Sequence, residues 1–247
     1  MDQDRFPIPA PAFDGASRQV EIGNLFQWFR EGWAAFVVNP GNWLAMMLIV
    51  VIAFIGVSIV PFLGGIVAQL LTPLLAAGLL VACRKIANEQ PFTVADLFAG
   101  FQQKTGELLM LGVVYLVAVW VIALLVVLFA GGGVVGGLAM GNPLGLVLAA
   151  GGFLVGGLLW LLLSIPLTMA MWFAPALVLF NDMAPVAALK ASFQAWLKNF
   201  TTFLVLGLLL LIATFFAVLP FGLGLLVLGP VVAGTVYASY RDIFLTT

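Results

Sequence analysis

Residues 199–240 read NFTTFLVLGLLLLIATFFAVLPFGLGLLVLGPVVAGTVYASY, a run of 42 residues without a charge. About 20 apolar residues carry a helix across the roughly 30 Å hydrocarbon core of a bilayer, so the run holds two crossings. Pro220-Phe221 at its middle supplies the turn, because proline in the first turn of the returning helix sacrifices no hydrogen bond. Working outward, two further charge-free runs occupy 32–83 and 108–181, with 52 and 74 residues. Each is long enough for another hairpin, and Pro61-Phe62 marks the turn of the first. The expected fold is therefore all-α: a polytopic membrane protein with six transmembrane helices, at roughly 43–60, 64–83, 108–130, 147–174, 200–219 and 222–240. The uncharged stretch 131–146, rich in glycine, reads as the link within the middle hairpin. The fourth crossing is long for a single span and is interrupted by Pro166, so a kinked helix and a separate segment at 167–180 are both open. A seventh span would leave Lys190 and Lys198 outside, and six is the better count.

Composition agrees. Of 247 residues, 64% are hydrophobic and 8% are charged, against about a quarter charged in soluble domains. All nine Lys and Arg fall in 1–42, 84–107, 181–198 and 241–247, on one side of every hairpin. The positive-inside rule makes that side, with both termini, cytoplasmic. Residues 1–17 are polar and proline-rich, and the expectation is a disordered arm ahead of one transmembrane domain at 18–247. No apolar stretch there suits a cleavable signal peptide, so the first crossing is expected to act as its own insertion signal. The chain has no histidine and one cysteine, Cys83, which reads as a buried or interfacial thiol. With the commonest metal ligand and general base missing and no basic stripe, no metal, cofactor or nucleic acid is expected.

The segments between the hairpins are patterned. Ile22, Leu25, Phe26, Phe29, Trp33 and Phe36 recur at helical spacing opposite Asn24, Gln27, Arg30 and Glu31, the mark of an amphipathic helix in the interface plane. A second such helix starts at Thr93 with Asp96 three residues later, a capping-box pair. A third, from Pro185, aligns Val186, Leu189, Phe193, Trp196, Leu197 and Phe200. Trp43, Trp172, Tyr237 and Tyr240 are expected to anchor helix ends at the same interface. Gly32-Trp33, Gly100-Phe101 and Ser192-Phe193 each place a small residue before an aromatic upstream of a crossing, and Asn39 and Asn199 follow Gly32 and Ser192 by seven. The second crossings carry Pro73, Pro166 and Pro230. Arg84 and Arg241 follow the first and last of these by eleven residues. The pattern predicts three parallel pseudo-repeats, about 20–90, 92–183 and 185–247, of interfacial helix, crossing, turn and proline-bearing crossing.

On these residues a resemblance can be stated. Leu71-Thr72-Pro73 through Ala77-Gly78, then Asp96-Leu97-Phe98-Ala99-Gly100-Phe101 and Leu111-Gly112 with Tyr115, resemble the signature of an uncharacterised family of proteobacterial inner-membrane proteins with six transmembrane helices. The similarity covers about 20–245. Looser similarity, through Pro185-Val186-Ala187-Ala188-Leu189-Lys190 and Ser192-Phe193, connects the chain to the membrane domain of some glycerophosphodiester phosphodiesterases, whose catalytic domain is absent here. The resemblance implies a multi-pass protein of the bacterial cytoplasmic (inner) membrane and assigns no activity.

No charged residue falls inside a span, which argues against an ion path. Gln69, Thr72, Ser164 and Thr168 are candidates to line a small polar pocket near the hinge prolines Pro73, Pro166 and Pro230; the plainer alternative has them bonded to neighbouring helices or to freed carbonyls of their own. Gly152 and Gly156 form a GxxxG step suited to close helix packing. Trp120 and Trp160, both mid-span, either meet across an apolar cavity or simply pack. With no paired catalytic constellation, the chain is not expected to be an enzyme. The leading expectation is a non-catalytic integral membrane protein that binds lipid or a membrane-protein partner, with a homo-oligomer also possible in principle. The alternative is a transporter or channel for an apolar or amphiphilic small molecule.

Overall fold

A computed structural model describes residues 13, 15–61 and 63–245. Most of the arm expected to be disordered, residues 1–12 and 14, lies outside the described residues. Among the described residues the chain is helical throughout, with no strand: α1 Asn24–Val38, α2 Pro40–Ser58, α3 Leu63–Ala87, a 3-10 helix Val94–Phe101, α4 Thr105–Met140, α5 Pro143–Asn181, α6 Pro185–Lys198, α7 Phe200–Val218 and α8 Leu225–Tyr240, which continues as a π-turn Arg241–Leu245. Five of these, α2, α3, α4, α5 and α7, are long and apolar enough to cross a membrane. α8 has 16 residues.

Local chemistry sets the boundaries. The Asn39 side chain accepts from Asn42 N at 3.1 Å and Pro40 follows it, so α2 begins with a capped first turn. Trp43 Nε1 donates to Ala35 O at 2.9 Å and locks the corner between α1 and α2. Asp96 Oδ2 accepts from Thr93 N at 2.8 Å, which closes the capping box at the 3-10 helix. Asn142 caps α5 in the same manner, accepting from Gly145 N at 2.8 Å.

The Gly-rich stretch expected to be a link is helical. α4 runs through it to Met140, and only Gly141 and Asn142 separate α4 from α5. Gly141 has a φ of +59°, the left-handed geometry that glycine adopts without penalty at a helix end. Glycine weakens a helix in water, but in lipid no solvent competes for backbone groups and the helix is the way to satisfy them. The segment 167–180 is likewise continuous with the fourth crossing, since α5 passes both Pro166 and Pro175. At about 1.5 Å per residue α4 and α5 extend about 54 and 58 Å, roughly twice the 28 Å of the 19-residue α2.

The four residues expected to anchor the interfacial belt are packed against other helices. Trp43 and Tyr240 are fully buried, Tyr237 is buried, and Trp172 packs edge-to-face on Trp196 with centroids 5.9 Å apart. They pack the core because the charged ends fold onto one another there. The amphipathic stripes also divide. In α1 the face turned inward is Leu25, Trp28, Gly32 and Phe36, whereas Phe26 and Trp33 are exposed. In α6 the inward face is Ala188, Ala191, Ser192 and Ala195, leaving Val186, Leu197 and Phe200 outside. Each helix thus uses its small residues to approach a neighbour.

All four charged patches are tied together at one end. Arg18 pairs with Asp242, and Arg241 with Glu31 at 3.0 Å. Lys104 pairs with Asp182 at 2.7 Å, and Lys198 donates to Ser17 O. Asn199 accepts from Val20 N at 2.8 Å and donates to Arg18 O at 3.0 Å, so the first and third patches are stitched side by side. Phe13 packs on Phe244 with centroids 6.3 Å apart.

Candidate binding cavity between the proline-containing helices

α3 lies at the centre: half of its apolar window is buried, and it touches α2, α4, α5 and α8. Close backbone approaches hold its surroundings. A Cβ on Gly100 would lie 2.3 Å from Leu74 O, and one on Gly78 would lie 2.0 Å from Leu97 O, so the 3-10 helix is pressed directly on α3. A Cβ on Gly32 would lie 2.4 Å from Val231 O, which sets α1 against α8. Ser192, fully buried, accepts from Phe173 N at 3.0 Å and donates to Met169 O at 2.7 Å. Those two groups are the pair that an uninterrupted α-helix joins to each other, so the α6 hydroxyl is inserted into the ladder of α5.

Between α3, α5 and α8, closed on one side by α4, is a cavity of about 720 Å³. Its walls are Gly65, Ala68, Gln69, Thr72, Pro73, Ala76, Leu79 and Leu80 of α3, Tyr115 of α4, Thr168, Met171, Trp172 and Pro175 of α5, and Gly229, Val232, Ala233 and Val236 of α8. This is the size and largely apolar character of a small-molecule site. Among the described residues no carboxylate, lysine or arginine lines it.

Four of the residues singled out from sequence, Gln69, Thr72, Pro73 and Thr168, come together in this wall. Ser164, Pro166 and Pro230 do not line it. The hydroxyls are engaged: Thr72 donates to Ala68 O at 2.8 Å, Ser164 to Trp160 O at 2.6 Å and Thr168 to Ser164 O at 2.6 Å. Each is the one-turn-back bond of the plainer alternative. The Gln69 amide, half-buried, has no hydrogen-bond partner among the described residues. Trp172 Nε1 is buried and also lacks a partner. Proline has no N–H, so Pro73 leaves the carbonyl of Gln69, and Pro175 that of Met171, without the usual helix donor. Gln69 and Met171 both line the cavity. The polar groups of this wall are therefore the Gln69 amide, the Tyr115 phenol, the engaged Thr72 and Thr168 hydroxyls and the proline-released carbonyls, in otherwise apolar surroundings.

Pro175 and Gly229 were not singled out, and Trp172 and Tyr115 were noted only as an interfacial anchor and as part of a family signature. Pro175 lies one residue past the expected end of the fourth crossing, and Gly229 carries no mark until helices from distant parts of the chain converge. Trp120 and Trp160 do not meet; both are exposed on the outside of the α4–α5 hairpin.

Gly152 and Gly156 lie elsewhere, on the seam of that hairpin. A Cβ on Gly152 would lie 2.7 Å from Val134 N, and one on Gly156 3.2 Å from Ala130 Cβ. Gly137 and Gly145 continue the seam, with a Cβ on Gly145 only 2.3 Å from Gly137 O.

Among known proteins the chain is similar to a protein of Burkholderia thailandensis described as a probable inner membrane protein. The two are 32% identical over 198 residues, spanning 77% of this chain and 73% of that protein. No family model matches the chain, and no solved structure matches it.

Proposed function

Because the chain belongs to the same family of proteobacterial inner-membrane proteins as this relative, we propose that it is a non-catalytic, six-span protein whose central cavity holds an apolar or amphiphilic molecule of lipid character. The observation that carries the reading is the cavity of about 720 Å³ between α3, α5 and α8, apolar but for Gln69, Thr72, Tyr115, Thr168 and the proline-released carbonyls. In this arrangement the stretch 222–240, which contains α8, is the sixth crossing, and the tied charged end with both termini faces the cytoplasm. The relative's description supports the membrane, and the clustering of every charged patch at one end supports the orientation.

Three contacts support a threefold internal repeat. Gly32 meets Val231, Gly100 meets Leu74, and Ser192 meets Met169. Val231 and Leu74 each follow a proline, Pro230 and Pro73, by one residue. On this register the position in α5 that matches those prolines is Thr168, and Pro166 lies two residues before it. Each interfacial helix therefore sits on the second crossing of the preceding unit, and α1 sits on that of the last.

Transport is the second reading, favoured by Pro73 and Pro175 in helices that line the cavity, since proline-interrupted helices around a central site serve alternating access. The test is native mass spectrometry of the full chain extracted in mild detergent. Wild type is expected to retain a bound amphiphile that Ala76→Phe, which fills the cavity, expels without loss of fold. Equal occupancy in the two proteins, or none in wild type, would overturn the reading.

A further inference from the structure

On the opposite face of α3 from the central cavity, a second cleft of about 520 Å³ opens at the charged end, between the last turns of α3 and the 3-10 helix. Its polar wall is Arg84, Lys85, Asn88, Gln102 and Gln103, with Asp96 opposite. We propose that this cleft binds the phosphodiester of an anionic phospholipid headgroup. The proposal is independent of the central cavity.

The charges in the cleft do not balance internally. Lys85 Nζ pairs with Asp96 Oδ1 at 2.7 Å, and the other Asp96 oxygen accepts from Thr93 N at 2.8 Å. That carboxylate is occupied on both oxygens. Arg84 is left with no carboxylate partner among the described residues; its guanidinium lies over the Phe180 ring, 4.5 Å from the centroid. A guanidinium stacked on an aromatic is held in place while its edge stays free for a planar or tetrahedral oxyanion. Two cations against one carboxylate leave a single positive charge, which complements the single negative charge of a phosphodiester.

In the same cleft wall the side-chain amides of Asn88, Gln102 and Gln103 have no hydrogen-bond partner among the described residues, and each can donate to phosphate oxygens. The carbonyls at the end of α3, which would repel an anion, are already covered. Arg84 O accepts from Asn88 N at 3.1 Å, and Lys85 O accepts from Gln90 N at 2.8 Å. The depth is right for a headgroup, because Arg84 is the first charge after the apolar run 32–83. Phe98 and Phe101 on the adjoining 3-10 helix are exposed, an apolar surface at the level where acyl chains begin. Basic pockets between helices on the cytoplasmic side recognise anionic lipid in this manner.

The experiment titrates the purified full chain, in detergent with phosphatidylcholine, with phosphatidylglycerol in one arm and inorganic phosphate in the other. Bound lipid is read by native mass spectrometry and stability by thermal melting. Phosphatidylglycerol is expected to bind and stabilise wild type, with Arg84→Gln reducing bound lipid about fivefold, the loss of one interfacial cation. Lys190→Gln, which removes a charge elsewhere on the same side, should leave binding unchanged. Equal binding by wild type and Arg84→Gln, or an equal loss with Lys190→Gln, would overturn the site. Stabilisation by inorganic phosphate alone, abolished by Arg84→Gln, would overturn the lipid source in favour of a soluble phosphate ligand. Should Arg84→Gln fail to fold, Gln103→Glu puts a carboxylate in the cleft and keeps the Arg84–Phe180 stack; undiminished phosphatidylglycerol binding by that variant would equally overturn the proposal. Ala76→Phe, in the central cavity, should leave this binding intact, so the two readings fail separately.

Discussion

Trp28 and Asp242 are joined by a hydrogen bond from the indole Nε1 to Asp242 Oδ2 at 2.8 Å, although 214 residues separate them. Asn24 Nδ2 donates to the same oxygen at 2.9 Å, and Arg18 pairs with the other. The carboxylate therefore fastens the N-terminal segment and α1 to the end of α8. A neutral amide in its place would keep the shape and lose the charge-assisted bonds.

Asp242→Asn should destabilise the protein by about 1–3 kcal/mol at neutral pH. Burial pushes the Asp242 carboxyl up, but the bonds from Asn24, Arg18 and Trp28 and the Arg18 charge together hold it below its ordinary value of 3.8. A depressed folded pKa means that this contribution is fully present above the ordinary value and is lost as pH falls through the folded one. Melting temperature followed from pH 7 downward should thus drop for wild type below about pH 4. The drop should be shallower for the variant, and parallel acid limbs would contradict the assignment.

Gly152→Leu should lower the melting temperature and Gly131→Leu should not. The leucine at 152 must displace the backbone of α4, which lies 2.7 Å from its Cβ, whereas at 131 the nearest neighbour is the Val127 side chain of the same helix at 3.5 Å. Overpacking of this kind costs about 1–3 kcal/mol. Matching melts and elution volumes for the two variants would mean that the hairpin seam carries little of the stability.

Ser192→Ala tests the inserted hydroxyl. Without it Phe173 N and Met169 O must either stay unpaired in a buried site, at about 1–3 kcal/mol, or close on each other and straighten α5. A lowered melting temperature with bound-amphiphile occupancy retained is the expected result. An unchanged melt would show that α5 heals its own ladder.

Membrane orientation can be read by labelling single cysteines with an impermeant thiol reagent. Leu63→Cys, Met140→Cys and Phe221→Cys, all at exposed positions, should react from the periplasm. Gln103→Cys and Gln194→Cys, on the charged side, should react only after the membrane is opened. The native Cys83 is buried and contributes little background. Reaction of Gln194→Cys in intact cells would break the six-span arrangement.

The five long apolar helices α2, α3, α4, α5 and α7 were legible because charge is excluded from lipid, and they fall largely within the runs 32–83, 108–181 and 199–240. The middle turn was misplaced because glycine is weighed by its behaviour in water, and residues 131–140 are in α4. Gln69, Thr72, Pro73 and Thr168 were recognisable as polar or helix-breaking groups in apolar surroundings. Pro175 and Gly229 were not, since only the convergence of α3, α5 and α8 gives them a shared wall. The inward face of α1 was half found. Leu25 and Phe36 follow from periodicity, but Trp28 owes its place to Asp242, a partner that no local spacing announces.

The seating of α1 on α8 also orders assembly in time. α1 is made before α8, so the groove that Gly32 enters against Val231 and Gly234 does not exist until α8 has been synthesised. Until then Leu25, Trp28 and Phe36 have no protein to cover them, and an apolar stripe of that kind is retained at the bilayer surface. The contact between the two ends is the most distant in the chain and closes after the local hairpins have formed. A chain truncated before α8 would leave its first helix stranded on the membrane, an orphan segment open to quality-control proteolysis.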